Sequence, residues 1–506
     1  MKGWDARRRR IWRRAWAGVG LVTALLLSVR IWWGAVAHER LTRAVEAYRA
    51  VGEPVFIEDF LPPTGVPDDR NAAKAYEKAA GMIVVPDAMQ VVGTHFFDDF
   101  RWARAYPDDA RLVVEANAGM LAELHRASAL VECDWGVRIV SPIVNTILPT
   151  ISWTRHLSRS AAPIAVSQHV IGDDEGMMRT LSDLHMAHRR LGEGRTTFAA
   201  TMLAAQACEG LRCSAIEFAA PRLQIERLGT GGETGDAVAD AAVTVRPAKR
   251  EQIRDEVARL LEEDWIRQAW GHAMNTERAS LYDFAVNFGN PTFMAGMGIV
   301  APLSGRPVRW LIGPSFDLDA ARGMARFTRV RDAGRAASYR QATVEVGIDP
   351  LQAESLDKPG TQIERAARLV SLTLMWGVER TLNGEFRLKA QRRMAAAALA
   401  IRMYEVDHGR RPASLDELVP EYLPGVPEDP FADRGAPIRY TPDADPPVLY
   451  SVGPDGTDDG GHLRRLENGA PDDSASDILF YLDGDRPRDP LDLSKGLKTS
   501  ATSTSP

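Results

Sequence analysis

The longest apolar run of the chain lies close to its first residue. Residues 15–29 (AWAGVGLVTALLLSV) carry no charge, Arg30 interrupts the run, and residues 31–37 (IWWGAVA) are apolar again. As a helix, residues 15–29 rise about 22 Å, whereas residues 15–37 rise about 34 Å and match a hydrocarbon core of about 30 Å. We therefore predict a transmembrane helix over 15–37, in which Arg30 extends its side chain toward the headgroups.

The basic head, residues 1–14, sets the expected orientation of this helix. It holds seven Lys or Arg residues against one acid, which by the positive-inside rule keeps it in the cytoplasm and places the rest of the chain outside. A cleaved signal peptide is the alternative, because residues 35–37 (AVA) fit a small-residue cleavage site. The bulky Arg-Ile-Trp-Trp before that site favours a retained anchor. The anchor predicts a single-pass protein of the bacterial cytoplasmic membrane.

Helical periodicity dominates the next part of the chain. Residues 38–105 are expected to hold an outward helix and a Pro-rich linker, with a short helix capped by Asn71. Residues 106–384 are expected to form an all-α body, because apolar positions recur at spacings of three and four. Short Gly- and Asp-rich turns indicate antiparallel hairpins, as in a bundle or an α-solenoid. Helices are predicted at 72–83, 108–130, 151–171, 175–191, 196–219, 248–270, 317–335 and 361–380, and loops at 227–247 and 302–314.

The pattern changes after residue 384. A helix is predicted over 385–407, and Ser414 begins a capping box for a short helix. Runs of strand composition follow at 438–440, 448–452 and 477–482, separated by Gly-, Pro- and Asp-rich turns. Residues 385–485 are therefore expected to be a small α+β module with a short antiparallel sheet. The polar tail, 486–506, is expected to be disordered. The predicted fold class is mainly α, with this one mixed module.

Charge and cysteine content narrow the possible roles. The formal charge of −6 combines a +6 head at 1–14 with a −13 segment at 405–485. A mildly acidic chain whose only basic cluster flanks a membrane helix is not expected to bind nucleic acid. Three cysteines, Cys133, Cys208 and Cys213, are too few for a fold stabilised by disulfides, and we expect them to be buried as small apolar side chains.

Candidate catalytic residues in the body are weakly marked. His185 and His188 stand three residues apart, a spacing that can bind a metal, but His188 lies on the apolar stripe of its helix and is expected to be a core histidine. The chain has no G-x-S-x-G, H-E-x-x-H, Walker or dinucleotide-binding motif. An exported enzyme, such as a hydrolase, stays open if a pocket gathers several of a set of polar residues: His156, His169, His185, His188, Asp173 and Glu217.

The C-terminal segment resembles a known family. A helix leads into YEVDHGRRP, followed by LDEL, EDPF, SVGPDGTDDGG and PDDSASDI. In this order the motifs resemble the globular domain of the major pseudopilin of type II secretion systems, over about residues 385–482. The matching residues are Tyr404, Asp407, Gly409 and Pro412, then Asp429, Pro430 and Phe431, then Ser451, Gly453, Asp455 and Gly456, and finally Asp472, Asp473, Asp477 and Ile478. The chain departs from that family in two ways: some 380 residues precede this segment, and the N-terminal apolar span has no Gly-Phe-Thr-Leu-Glu-type start. Filament assembly through that helix is therefore not implied.

The resemblance implies a small α/β module and a calcium ion between its two acidic loops. The candidate ligands are Asp455, Asp458, Asp459, Asp472, Asp473 and Ser474. Calcium takes six to eight oxygen ligands, and these side chains offer enough if the two loops meet. The alternative is an acidic, solvated loop without a metal.

These observations favour a membrane-anchored extracytoplasmic protein of structural or protein-interaction type. The resemblance links it to type II secretion or pilus-like assemblies. Its expected partners are the membrane, through the N-terminal helix, and other envelope proteins. The exported hydrolase is the second hypothesis.

Overall fold

The computed structural model describes residues 2–60, 65–86, 99–194, 197–227, 245–296, 306–347, 378–462 and 476–483. It is mostly helical, with one small antiparallel sheet, as predicted. The α-helices of the described residues are α1 (Lys2–Ala50), α2 (Ala72–Gly81), α3 (Arg101–Ala105), α4 (Pro107–Ala116), α5 (Ala118–Ala129), α6 (Pro149–Val170), α7 (Asp174–Glu193), α8 (Ala199–Ala219), α9 (Arg250–Leu261), α10 (Asp264–Asn287), α11 (Pro291–Gly296), α12 (Arg306–Ala333), α13 (Tyr339–Val346) and α14 (Val378–His408). The strands are β1 (Arg439–Thr441), β2 (Val448–Ser451) and β3 (Ile478–Tyr481).

Helix α1 contains the predicted transmembrane segment and continues beyond it into the body. An 18-residue window within Ile11–Ala50 has a mean hydropathy of 1.8, and none of it is buried. Length and composition would let this helix cross a membrane, and a signal sequence would meet the same criteria. Further along the helix Ala37, Leu41 and Val45 are buried at intervals of four residues. The second half of α1 therefore packs on the body through one face.

Several predicted helices of the body are confirmed. Helices α6, α7 and α8 correspond to the predictions at 151–171, 175–191 and 196–219, within three residues at each end. Helices α2 and α7 begin at Asn71 and Asp173, whose side chains accept hydrogen bonds from the backbone N–H groups of Ala73 and Gly176. Each cap satisfies a backbone donor that the first helical turn leaves open.

Two predicted helices are each divided in the structure. The segment 108–130 breaks at Asn117, which is fully buried. The side-chain oxygen of Asn117 accepts a hydrogen bond from the backbone N–H of Val84. Its side-chain nitrogen donates to the carbonyls of Val84 and Val113. The segment 248–270 breaks between α9 and α10, where the carbonyls of Arg259 and Glu262 accept hydrogen bonds from another helix instead of continuing their own. At each break a partner distant in sequence bonds the chain, and local periodicity contains no information about that partner.

Other predictions need correction or lie outside the described residues. The described part of the predicted loop 302–314 belongs to α12, and Pro314 lies inside that helix. Packing of α12 against α1 and α10 outweighs the proline signal. Leu415–Leu418 is a 3₁₀ helix without a side-chain cap from Ser414. Most of the predicted helix 361–380 and of the predicted loop 227–247, and the whole tail 486–506, lie outside the described residues.

The small sheet packs on the end of α14. The strands are antiparallel in the order β1-β2-β3, with Tyr440 opposite Leu449 and Leu449 opposite Phe480. Leu449 and Phe480 belong to the same apolar core as the body. The boundary predicted at residue 385 falls within α14, which contacts α8 and α9 of the body and β2 and β3 of the sheet. Body and C-terminal module therefore share one core along this helix.

Candidate functional site

The most concentrated polar chemistry of the described residues is a fully buried network centred on Glu209. Glu209 lies on α8 and is 0% exposed. One carboxylate oxygen accepts a hydrogen bond from His188 Nδ1 at 2.9 Å, and the other lies 3.3 Å from His185 Nδ1. Both histidines come from α7, one helical turn apart, so the spacing noted in the sequence places them on a single carboxylate.

Two arginines neutralise this carboxylate. Arg212, one turn after Glu209 on α8, contacts it at 3.1 and 2.5 Å and also pairs with Glu256 of α9. Arg392 of α14 pairs with Glu209 and donates to the carbonyls of Arg259 and Glu262, where α9 ends. Both arginines are fully buried. An ionised group at this depth is tolerated only when it is paired and hydrogen-bonded, and Glu209 meets both conditions.

The network fixes the protonation states of its members. Burial alone would raise the pKa of Glu209, but the charges of Arg212 and Arg392 outweigh burial and hold that pKa well below its usual value. Burial lowers the pKa of His185 to about 4, against the opposing effect of Glu209. Burial lowers the pKa of His188 in the same way. At neutral pH the carboxylate is therefore charged and both imidazoles are neutral.

Ser158 completes a chain that has the connectivity of a Ser-His-acid triad. Its hydroxyl on α6 lies 2.7 Å from His188 Nε2, while His188 Nδ1 faces Glu209. In a hydrolase this arrangement lets the imidazole take the hydroxyl proton. Ser158 is only 1% exposed and His188 0%. A substrate therefore cannot reach the hydroxyl in this conformation, and the contacts join α6, α7 and α8 as a structural element.

The six polar residues proposed for an enzyme pocket do not come together. His156 is exposed, His169 pairs with Asp174 at 2.6 Å, and Asp173 caps α7. Glu217 accepts a hydrogen bond from the backbone N–H of Tyr481 in β3. Only His185 and His188 meet, on Glu209. A polar cleft of about 490 Å³ lies elsewhere, and none of the six is among its described lining residues, which are Arg49, Gly52, Glu53, Pro54, Asp59, Phe60, His272 and Asn275.

Three of the six predicted calcium ligands, Asp455, Asp458 and Asp459, lie on the described acidic loop that follows β2. Asp458 accepts hydrogen bonds from Arg439 Nε at 2.6 Å and from the Tyr450 hydroxyl at 3.2 Å. Asp477 accepts from the backbone N–H groups of Asp459 and Gly461. Asp455 accepts from the N–H of Thr457, while Asp472, Asp473 and Ser474 lie outside the described residues.

These contacts do not by themselves form a calcium cage. Within the described ranges, no group of three or more His, Cys, Asp or Glu side chains has an arrangement that could hold a metal ion. Burial raises the pKa of Asp477, and the neighbouring carboxylates of Asp459 and Asp458 raise it further. The loop therefore concentrates negative charge beside β3, but Asp458 is already neutralised by Arg439.

The motif residues of the module have identifiable structural roles. Asp429 is 2% exposed and accepts hydrogen bonds from the Ser451 hydroxyl at 2.6 Å and the backbone N–H groups of Val452 and Phe431. It therefore joins the Asp-Pro-Phe turn to the Ser-x-Gly loop. The two terminal guanidinium nitrogens of Arg250, on α9, donate hydrogen bonds to the two carboxylate oxygens of Asp407 at 2.8 and 2.6 Å. This pair connects the module to the body.

Sequence reasoning missed the centre of the network. Glu209 and Arg212 stand three residues apart in a helix whose other residues are mostly apolar, and Arg392 lies two residues before a buried stretch that begins at Met394. Charged residues within apolar helical stretches are the signal that could have found them, because burial of such groups requires a partner. The identity of the partner is set by tertiary packing.

No protein-family model, curated protein or solved structure matches this chain.

We expect stability to fall as the pH drops from 6.5 toward 4. Above 6.5 His185 is neutral in both the folded and the unfolded chain. Between 6.5 and its folded pKa of about 4 only the unfolded chain takes the proton, which favours unfolding. His185→Gln should therefore make the pH dependence of the unfolding free energy shallower by up to about 1.4 kcal/mol per pH unit.

The measurement is denaturant unfolding of the full chain in detergent at several pH values. His156→Gln, the same substitution at an exposed histidine, is the matched control. Equal slopes for wild type and His185→Gln would show that His185 is not held neutral by burial.

Proposed function

We propose that this chain is a single-pass, membrane-anchored extracytoplasmic protein that acts through contacts with other envelope proteins. The observation that carries this proposal is the continuity of α1. One helix passes from an entirely exposed apolar segment at residues 15–29 into a half that packs on the helical body. An exposed apolar surface of this length is typical of contact with lipid. The basic residues before it support an N-terminus in the cytoplasm.

The docked module supports a role in protein contacts rather than in a filament core. Its helix, α14, is enclosed by the body, and the residues of its Ala-rich stretch 395–400 are at most 2% exposed. Over this described stretch, α14 presents no free apolar face to neighbouring subunits. The acidic loop around Thr457 is exposed, and its exposure and charge make it the partner surface of this proposal. The link to type II secretion or pilus-like components rests on the motif resemblance.

An exported hydrolase is the second candidate, and the Ser158-His188-Glu209 chain is the observation that favours it. The burial of all three groups weighs against it, because the hydroxyl must be reached by substrate. Covalent labelling by a fluorophosphonate probe that disappears in Ser158→Ala would favour the hydrolase. Absence of labelling in the folded full chain would exclude Ser158 as its nucleophile.

Site-specific photo-crosslinking in the native host tests the proposed function. A photo-crosslinking residue at Thr457 should yield a discrete adduct with an envelope protein of a secretion or pilus-like system. The same residue at Val131, which is 91% exposed on the body, is the control and should yield none. Absence of adducts at both Thr457 and Asp443, a second exposed module position, would contradict the proposal.

The calcium proposal has a separate test. If residues 472–474 complete a site with the described loop, calcium should raise the melting temperature of the full chain relative to a chelator. Asp459→Asn should abolish that shift, whereas Asp443→Asn, in the turn between β1 and β2, should preserve it. Identical melting curves of the wild type with calcium and with chelator would leave the acidic loop without a metal.

A further inference from the structure

Helices α1 and α12 run side by side in the same direction. Arg30 Nε donates to the carbonyl of Leu311 at 3.2 Å, and the Thr328 hydroxyl donates to that of Tyr48 at 3.0 Å. The two residues of the first pair are 281 apart in sequence, and those of the second pair are 280 apart. The alignment of α1 with α12 is therefore the same from Arg30 to Tyr48, over 18 residues. At 1.5 Å per residue the two helices stay level with each other for about 27 Å.

The contact between the helices is well fixed along this length. Between the two hydrogen-bonded pairs, Gly34 of α1 packs against Pro314 of α12. A Cβ atom added to Gly34 would lie 3.9 Å from Pro314 Cγ. At the outer end Arg278 of α10 lies 4.1 Å from the Tyr48 ring centre and donates to the carbonyl of Pro54. The position of the body along α1 is therefore set by packing, and the membrane segment is not joined to the body by a loose stalk.

This register places the start of α12 at the edge of the membrane segment. Because paired positions of α1 and α12 differ by 280 in number, Arg306, the first residue of α12, lies beside Leu26 of α1. Leu26 is one helical turn, about 6 Å, before Arg30. Residues 11–29 of α1 are exposed, and the burial of α1 on the body begins at Arg30. The first turns of α12 thus reach the level at which the apolar, exposed part of α1 ends.

Two exposed side chains at this level are apolar or aromatic, while Arg309 beside them is bonded to Asp317 and to the carbonyl of Ala285. Trp310 is 48% exposed and Leu311 is 58% exposed. The Arg30 guanidinium lies 4.8 Å from the Trp310 ring centre and 5.6 Å from that of Trp33. Trp is enriched where hydrocarbon meets headgroups, and Arg there extends its charge toward water. Together they form an aromatic surface that continues directly from the exposed face of α1.

We propose that the start of α12, around Trp310 and Leu311, lies in the interfacial layer of the membrane that α1 crosses. This inference rests on the proposed membrane anchor. A lipid surface is the occupant that fits, because the patch is continuous with the apolar surface of the anchor and lies at its outer end. The outer hydrocarbon boundary then falls near Arg30, so the span predicted over 15–37 ends earlier than predicted, and residues 31–37 lie in the headgroup layer beside α12. The exposed stretch 11–29 is 19 residues, or about 28 Å, and the body rests on the membrane surface.

Depth-dependent fluorescence quenching of the full chain in phosphatidylcholine–phosphatidylglycerol vesicles tests this inference. A nitrobenzoxadiazole dye is attached to a cysteine in a Cys133→Ser background, since Cys208 and Cys213 are buried. The test position is Leu311→Cys. The matched controls are Leu25→Cys, within the anchor, and Val51→Cys, which is 70% exposed and about 30 Å from Arg30 along α1.

We expect the dye at position 311 to be quenched by a spin label near the lipid headgroups and to be several-fold less accessible to iodide than the dye at 51. Quenching at 25 with free iodide access at 311 would overturn the inference and leave the anchor intact. Shielding of 311 from iodide without quenching by lipid would show a protein occupant and also overturn it. Iodide access at 25 would contradict the anchor itself.

Discussion

The organisation of the body depends on one buried carboxylate, Glu209. Its partners come from α7, α8 and α14, and Arg212 and Ser158 extend the network to α9 and α6. Removing a charge from water at this depth is costly, so the carboxylate is stable only while its partners are in place. The requirement to satisfy Glu209 therefore constrains the relative positions of five helices.

The same constraint links the body to the C-terminal module. Arg392 lies on α14 and satisfies both Glu209 and the carbonyl groups at the end of α9. The break between α9 and α10 is thus part of the network. Further along α14, Asp407 pairs with Arg250, and Tyr404 stacks on His408 at the edge of the module. Helix α14 is therefore the element through which the polar core positions the small sheet.

The sequence predicts the elements that depend on local pattern, and it misses those that depend on distant partners. The membrane-length helix follows from an apolar run, and α6 to α8 follow from apolar periodicity. The breaks at Asn117 and Glu262, and the helical conformation around Pro314, depend on contacts with other elements. His188 is a buried, hydrogen-bonded core histidine, as predicted, but its partner Glu209 could not be assigned from spacing. The parallel register of α1 and α12 leaves no pattern in either helix alone.

A double-mutant cycle between Glu209 and Arg392 tests most directly whether this network holds the body together. The free energy of unfolding is measured for the full chain in detergent, for Glu209→Gln, Arg392→Met and the double variant, with the exposed Glu115→Gln as control. Each single change should cost about 3 kcal/mol or more, because it leaves buried charges without a partner. The double variant should cost less than the sum, with a coupling energy of about 1–3 kcal/mol. Additive losses, or single losses no larger than that of Glu115→Gln, would contradict the account.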